Sequence, residues 1–218
     1  MNNLNESLAQ FLVSTKLLIN NSINSSIIKS TVALFGYDEP KLTEAQTLLN
    51  TVEDLNNTQQ KEYGDQYQAQ NDFQTNRKKA HDAYMDLLTI AKIALKNDVS
   101  AQQSLGLNHP RKKSFSGWLT QALQFCNNLI ASPNYTATME VYGQGVEKIQ
   151  AVKQAITDTQ NSAEIHKSET GEAQQATQLR DAKLDELAIW VIDYKKIARI
   201  ALKEQPQLLE KLGLLERS

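Results

Sequence analysis

His166 and Glu169 stand one helical turn apart, the closest this sequence comes to a metal-binding pair. A di-iron carboxylate bundle needs Glu-x-x-His pairs on two helices plus further inward glutamates. Here the order is reversed and occurs once, and the stretch 107 positions earlier reads Gln59-Gln60-Lys61-Glu62. The pair therefore reads as a solvated polar face. The sequence has no His-Glu-x-x-His or Cys-x-x-Cys spacing for zinc, and we expect no metal ligand and no cofactor. Of the other histidines, His81 lies beside Lys79 and Asp82, and His109 lies in a polar connection.

Cys126 is the single cysteine. A thiol can serve as a nucleophile, but this one falls on the apolar face of a helix, where a buried thiol is inert. Tyr142-Gly143-Gln144-Gly145 has two glycines but no strand before it. A phosphate cradle needs that strand, so the run reads as a helix break. The carboxylates are spread along charged faces, with no pair set apart for acid–base work. We therefore expect no catalytic residues and no enzyme. Trp118, Trp190, Tyr84 and Tyr194 recur with aliphatics at helical spacing and read as core.

Two basic runs remain, Arg77-Lys78-Lys79 and Arg111-Lys112-Lys113. The second sits beside His109 and near Phe115 and Trp118. Such a run can meet nucleic acid or an acidic membrane surface. The chain as a whole carries a net charge of −2 and a pI near 6.0, so it has no overall basic field for nucleic acid. Arg111, Lys112 and Lys113 are the only candidate interaction residues, in a segment otherwise expected to be solvated linker.

The elements that hold these residues follow from a shortage of turn formers. The 218 residues include 8 Gly and 4 Pro, below usual usage. Sandwiches, barrels and doubly wound sheets need more loops than this allows, so the expected class is all-α. One cysteine excludes an intrachain disulfide framework. The N-terminus lacks a basic n-region, and Lys16 interrupts the first apolar stretch, so no signal peptide is expected. No apolar run approaches the roughly 20 residues of a membrane span, and the expected location is cytoplasmic.

The chain also repeats itself. Ile90-Ala91-Lys92-Ile93-Ala94-Leu95-Lys96 and Ile197-Ala198-Arg199-Ile200-Ala201-Leu202-Lys203 are 107 positions apart. The same interval relates Gly36 to Gly143, Gly64 to Gly171 and Gly106 to Gly213, and about 22 of the 97 pairs between 11–107 and 118–214 are identical. We read a tandem duplication: a first helical repeat over 1–107, a linker over 108–114 and a second repeat over 115–218. Each repeat is expected to hold three long antiparallel helices and a short C-terminal one, packed as helical bundles with coiled-coil-like stripes.

Within the first repeat, a helix is expected from about Asn5 to Leu34. Its copy starts after Ser114 or Ser116, and Pro133 kinks or ends it. Gly36 and Gly143 mark stops. A second helix starts near Pro40 and a third spans roughly 67–97. Two readings compete at Gly64 and Gly171. The glycines can close a hairpin, with Asp65 and Gln68 as a capping box, or lie inside one continuous rod, since a heptad frame carries through from Leu42 to Ala94. The hairpin is preferred, because an interior glycine costs about 1 kcal/mol relative to alanine.

The ending Ile197-Ala198-Arg199-Ile200-Ala201-Leu202, with Pro206-Gln207-Leu208-Leu209-Glu210 and Leu212-Gly213 after it, resembles a recurring ending in uncharacterised bacterial helical proteins. Gly171-Glu172-Ala173-Gln174 and Ala176-Thr177-Gln178 are similar to them too. The resemblance implies a helical fold and brings no activity. The expected role is a non-enzymatic helical scaffold or protein-interaction module, with a protein partner or self-association. Membrane association is the alternative, and a metal-binding or enzymatic bundle comes third.

Overall fold

The computed structural model describes residues 7–214, which form eight helices and no strand. The start of the expected first helix, at Asn5 and Glu6, lies outside the described residues. Helix α1 (Leu8–Asn24) opens on Ser7 with a reciprocal capping box to Gln10. Ser25 is extended, at φ −94° and ψ 110°, and its hydroxyl caps α2 (Ser26–Ala33). The single helix expected over 5–34 is thus broken at Ser25. A serine that turns its oxygen onto Ile28 N–H satisfies a new helix start at the expense of the old one.

The second repeat breaks 107 positions later, at Ser132, where Pro133 forces its predecessor out of the helical region. Helix α5 (Phe115–Ala131) therefore ends before α6 (Pro133–Val141) begins. The short helices α4 (Val99–Ser104) and α8 (Pro206–Lys211) also start 107 positions apart.

Gly36, Gly106, Gly143 and Gly213 have φ between +59° and +82°. Each ends a helix in the same way. The following amide donates back five residues, as from Tyr37 to the Val32 carbonyl at 3.2 Å and from Gln144 to that of Met139 at 3.0 Å. Only glycine adopts this left-handed turn without penalty.

Gly64 and Gly171 do not. Helices α3 (Glu39–Ala94) and α7 (Val146–Ala201) each run 56 residues without interruption. Neither glycine has positive φ, and open space surrounds both. The hairpin reading is wrong, and with it the separate third helix over 67–97. Gln68 caps nothing and donates to Asp72 one turn on, at 2.9 Å. A penalty of about 1 kcal/mol is too small to break a helix whose hydrogen bonds and apolar stripe continue on both sides.

Continuity redistributes the core. The chain forms two compact units, one made of residues up to Tyr63 with those from Glu172 onward, the other of Gly64–Gly171. The compact units thus cut across the expected division into 1–107 and 115–218. In the first unit, Phe11, Leu18 and Ile28 of α1 and α2 pack with Leu49 of α3 and with Leu187, Val191 and Tyr194 of α7. In the second, Trp118, Phe125 and Leu129 of α5 pack with Tyr84, Leu87 and Ala91 of α3 and with Ile149 and Ile156 of α7. Each core draws on residues from both halves of the chain, because α3 and α7 each continue from one unit into the other.

Polar layers differ between the units. In the first, the buried Tyr194 hydroxyl donates to Ser22 Oγ at 2.5 Å, and Ser22 donates to the Leu18 carbonyl at 2.7 Å. Gln59 joins α3 to α7 there, accepting from Arg180 at 2.9 Å and donating to Thr177 at 3.2 Å. The positions 107 residues from Gln59 and Arg180 are His166 and Phe73, which stack in the second unit with ring centroids 6.0 Å apart.

Candidate anion-binding cavity

Within the second unit, α3 presents Gln74, Arg77, Lys78 and His81, spaced so that all four share one helical face. The segment entering α5 presents Arg111, Lys112 and Lys113, and the first turn of α5 supplies Trp118. Together they line a cavity of about 570 Å³. It gathers five cationic side chains, Arg77, Lys78, Arg111, Lys112 and Lys113, and no carboxylate lines it.

The 108–114 connection is not a loose linker. Arg111 donates to the Tyr84 hydroxyl at 2.7 Å, to the His109 carbonyl and to the Gly106 carbonyl. Its guanidinium ties the segment to the end of α4 and to the core face of α3. Gln121 of α5 accepts from the Lys112 amide at 2.7 Å and donates to the Pro110 carbonyl at 3.1 Å. Arg111 thus holds the segment in place, while Lys112 and Lys113 extend exposed from it.

Gly117 allows the close approach. A Cβ there would lie 2.8 Å from the Lys112 side chain and 2.9 Å from Ser114 Oγ. Ser114 caps α5 by accepting from the Gly117 amide at 3.2 Å. Arg77 lies over the Phe115 ring, 5.7 Å from its centroid, a cation–π placement that steers its charge toward the same region. Trp118 is 6% exposed, and its buried indole N–H has no hydrogen-bond partner among the described residues.

These charges share one sign at a helix start. Arg111, Lys112 and Lys113 stand at the N-terminal end of α5, where the helix dipole is positive, and the first turn has no acidic residue. Among the described residues, Arg77, Lys78, Lys112 and Lys113 form no ion pair. A bound anion relieves both the mutual repulsion and the clash with the dipole.

The remaining sequence candidates scatter. Lys79 of the first basic run lines a different cavity, with Asp158. His166 is stacked on Phe73, and His109 serves through its backbone carbonyl. Lys148 donates to the Gly143 carbonyl at 2.8 Å, helping to close the break at Tyr142–Gly145. Cys126 is fully buried, and burial pushes its thiol up to about 12, against an opposing pull from Lys153. Burial also raises the Tyr84 hydroxyl, although its hydrogen bond to Arg111 works the other way.

A larger groove, about 840 Å³, lies in the first unit between α3 and α7. Most of its polar groups are already engaged. Thr43, Thr47 and Thr51 donate to carbonyls one turn back, and Lys183 pairs with Glu186 at 2.8 Å. Sequence reasoning singled out both basic runs but not their meeting, nor the role of Gln74, Gly117 and Trp118. The spacing of Gln74, Arg77, Lys78 and His81 was the available signal. No protein-family model, curated protein or solved structure matches the chain.

Proposed function

We propose that this protein is a non-enzymatic helical binding module that engages its partner through an anionic group seated in the basic cavity of the second unit. The observation that supports this is the gathering of five cationic side chains around one cavity that no carboxylate lines. A charge set that weakens a helix start is costly to the fold and useful to an anion.

The test compares the full chain with its K78Q/K112Q/K113Q variant. All three lysines are exposed, so helix content should be unchanged. Calorimetric binding of inorganic phosphate and of an Asp/Glu-rich peptide should be measurable for the parent and lost in the variant. A parent protein indifferent to both ligands at low ionic strength refutes the proposal.

A membrane-surface role is the second reading. No helix among the described residues is long and apolar enough to cross a membrane. The turns before α3 and α7 nevertheless each expose an apolar pair, Leu34–Phe35 and Val141–Tyr142. Co-sedimentation with anionic vesicles that survives L34S/V141S substitution would dismiss that reading of these turns.

A further inference from the structure

We infer that the cavity's ligand carries a phosphate monoester, a compact dianion, rather than a carboxylate or a singly charged diester. This rests on the anion-binding reading above and specifies the anion. Three observations lead to it.

The first is charge count. Arg77, Lys78, Lys112 and Lys113 converge without an ion pair among the described residues. A single carboxylate leaves most of that charge uncompensated. A monoester brings close to two negative charges at neutral pH and three acceptor oxygens on one centre.

The second is donor character. Lysine and arginine side chains only donate. A ligand group that only accepts satisfies all of them, and a terminal phosphate can take bonds from several directions at once. The cavity's roughly 570 Å³ falls in the range of small-ligand sites and leaves room for the body of the ester.

The third is construction. Gly117 leaves the gap into which the Lys112 stem fits, with a Cβ excluded at 2.8 Å. The position 107 residues earlier is Gln10, whose side chain completes the capping box of α1. At α5 that box is absent, and the space it would occupy holds a lysine.

The experiment follows the indole N–H resonances of the full chain during titration. Trp190, whose indole N–H is also buried and unpartnered but which lies in the first unit, is the internal reference. Glycerol phosphate is compared with dimethyl phosphate, acetate and an Asp/Glu-rich peptide, and with phosphatidylcholine vesicles with and without phosphatidic acid. The monoester should shift Trp118 and leave Trp190 in place, binding at least about tenfold more tightly than the diester or acetate. K112Q and G117A should each weaken it, and K79Q should not, because Lys79 faces another cavity.

A response to soluble glycerol phosphate assigns a free ester. A response confined to phosphatidic acid vesicles assigns a lipid headgroup with the same chemistry. Equal binding of diester or acetate overturns the inference, as does a monoester response that K112Q leaves intact. Binding of the acidic peptide without the monoester overturns this inference and leaves the anion-binding proposal standing. Binding of none of these ligands overturns both.

Discussion

Gly64→Ala should stabilise this protein, and Gly36→Ala should destabilise it, although both glycines sit at points the sequence marks identically as repeat-matched breaks. At Gly64 the backbone is helical, and a Cβ built there meets nothing within 4 Å. Alanine then contributes its helix propensity alone, about 0.5–1 kcal/mol over glycine. Gly171 has the same surroundings and predicts the same gain. At Gly36 φ is +82°, and an L-residue forced into that region costs roughly 1–2 kcal/mol. Urea unfolding followed by helical circular dichroism separates the cases. The midpoint should rise for Gly64→Ala and fall for Gly36→Ala at unchanged slope. A fall for Gly64→Ala comparable to that of Gly36→Ala would mean a left-handed turn at Gly64, and the continuous helix, with the division of the core derived from it, would be refuted.

Three further outcomes are expected. Ser22→Ala should cost about 1–3 kcal/mol by stranding the buried Tyr194 hydroxyl, while Tyr194→Phe, which leaves Ser22 its Leu18 carbonyl, should cost nearer 0.5–1.5 kcal/mol by the same unfolding assay. Cys126 should resist iodoacetamide at neutral pH and react on unfolding. Because its folded pKa is raised from 9.0 to about 12, its contribution to stability is full below pH 9 and lost as pH rises from there toward 12, which an alkaline unfolding series against Cys126→Ala would show. K112Q and K113Q should each raise stability by about 0.3–1 kcal/mol at low salt by relieving the α5 dipole, an increment that should shrink as salt is added.

The helical class and the interval of 107 were legible because they rest on local signals: few turn formers, an apolar period, and glycines at the same intervals. Gly36 and Gly143 were legible as stops for the same reason, and their left-handed φ bears this out. Gly64 was not, because a glycine in a turn and a glycine in a helix look alike in sequence. What separates them is φ, which the surrounding hydrogen bonds set. Ser25 was missed while Ser132 was anticipated, since only the latter is followed by proline. At the candidate site, Arg111, Lys112 and Lys113 were visible as a run. The split in their roles was not, because it depends on Tyr84 and Gly106 accepting from Arg111.

That dependence explains why the cavity could be assembled only from the structure. A hairpin at Gly64 would have folded the later part of α3 back upon the earlier part of its own repeat. Continuity instead assigns Arg77 and Lys78 to the unit that contains α5, so that cations from one repeat meet cations preceding the other. The corresponding positions 107 residues away show that the framework does not require this. Gln74, Arg77, Lys78 and His81 correspond to Asp181, Leu184, Asp185 and Ala188, and Trp118 corresponds to Phe11. The first unit thus builds a core of the same plan, with Phe11 buried and Leu184 packed against it, while replacing every cation on that α3 face. Charges that one unit omits without loss of its core are not there to hold the other unit together. Arg77 and Lys78, which the first unit omits, and Lys112 and Lys113 at the start of α5, where the dipole opposes them, are the charges assigned to a ligand, while Arg111 holds the segment in place.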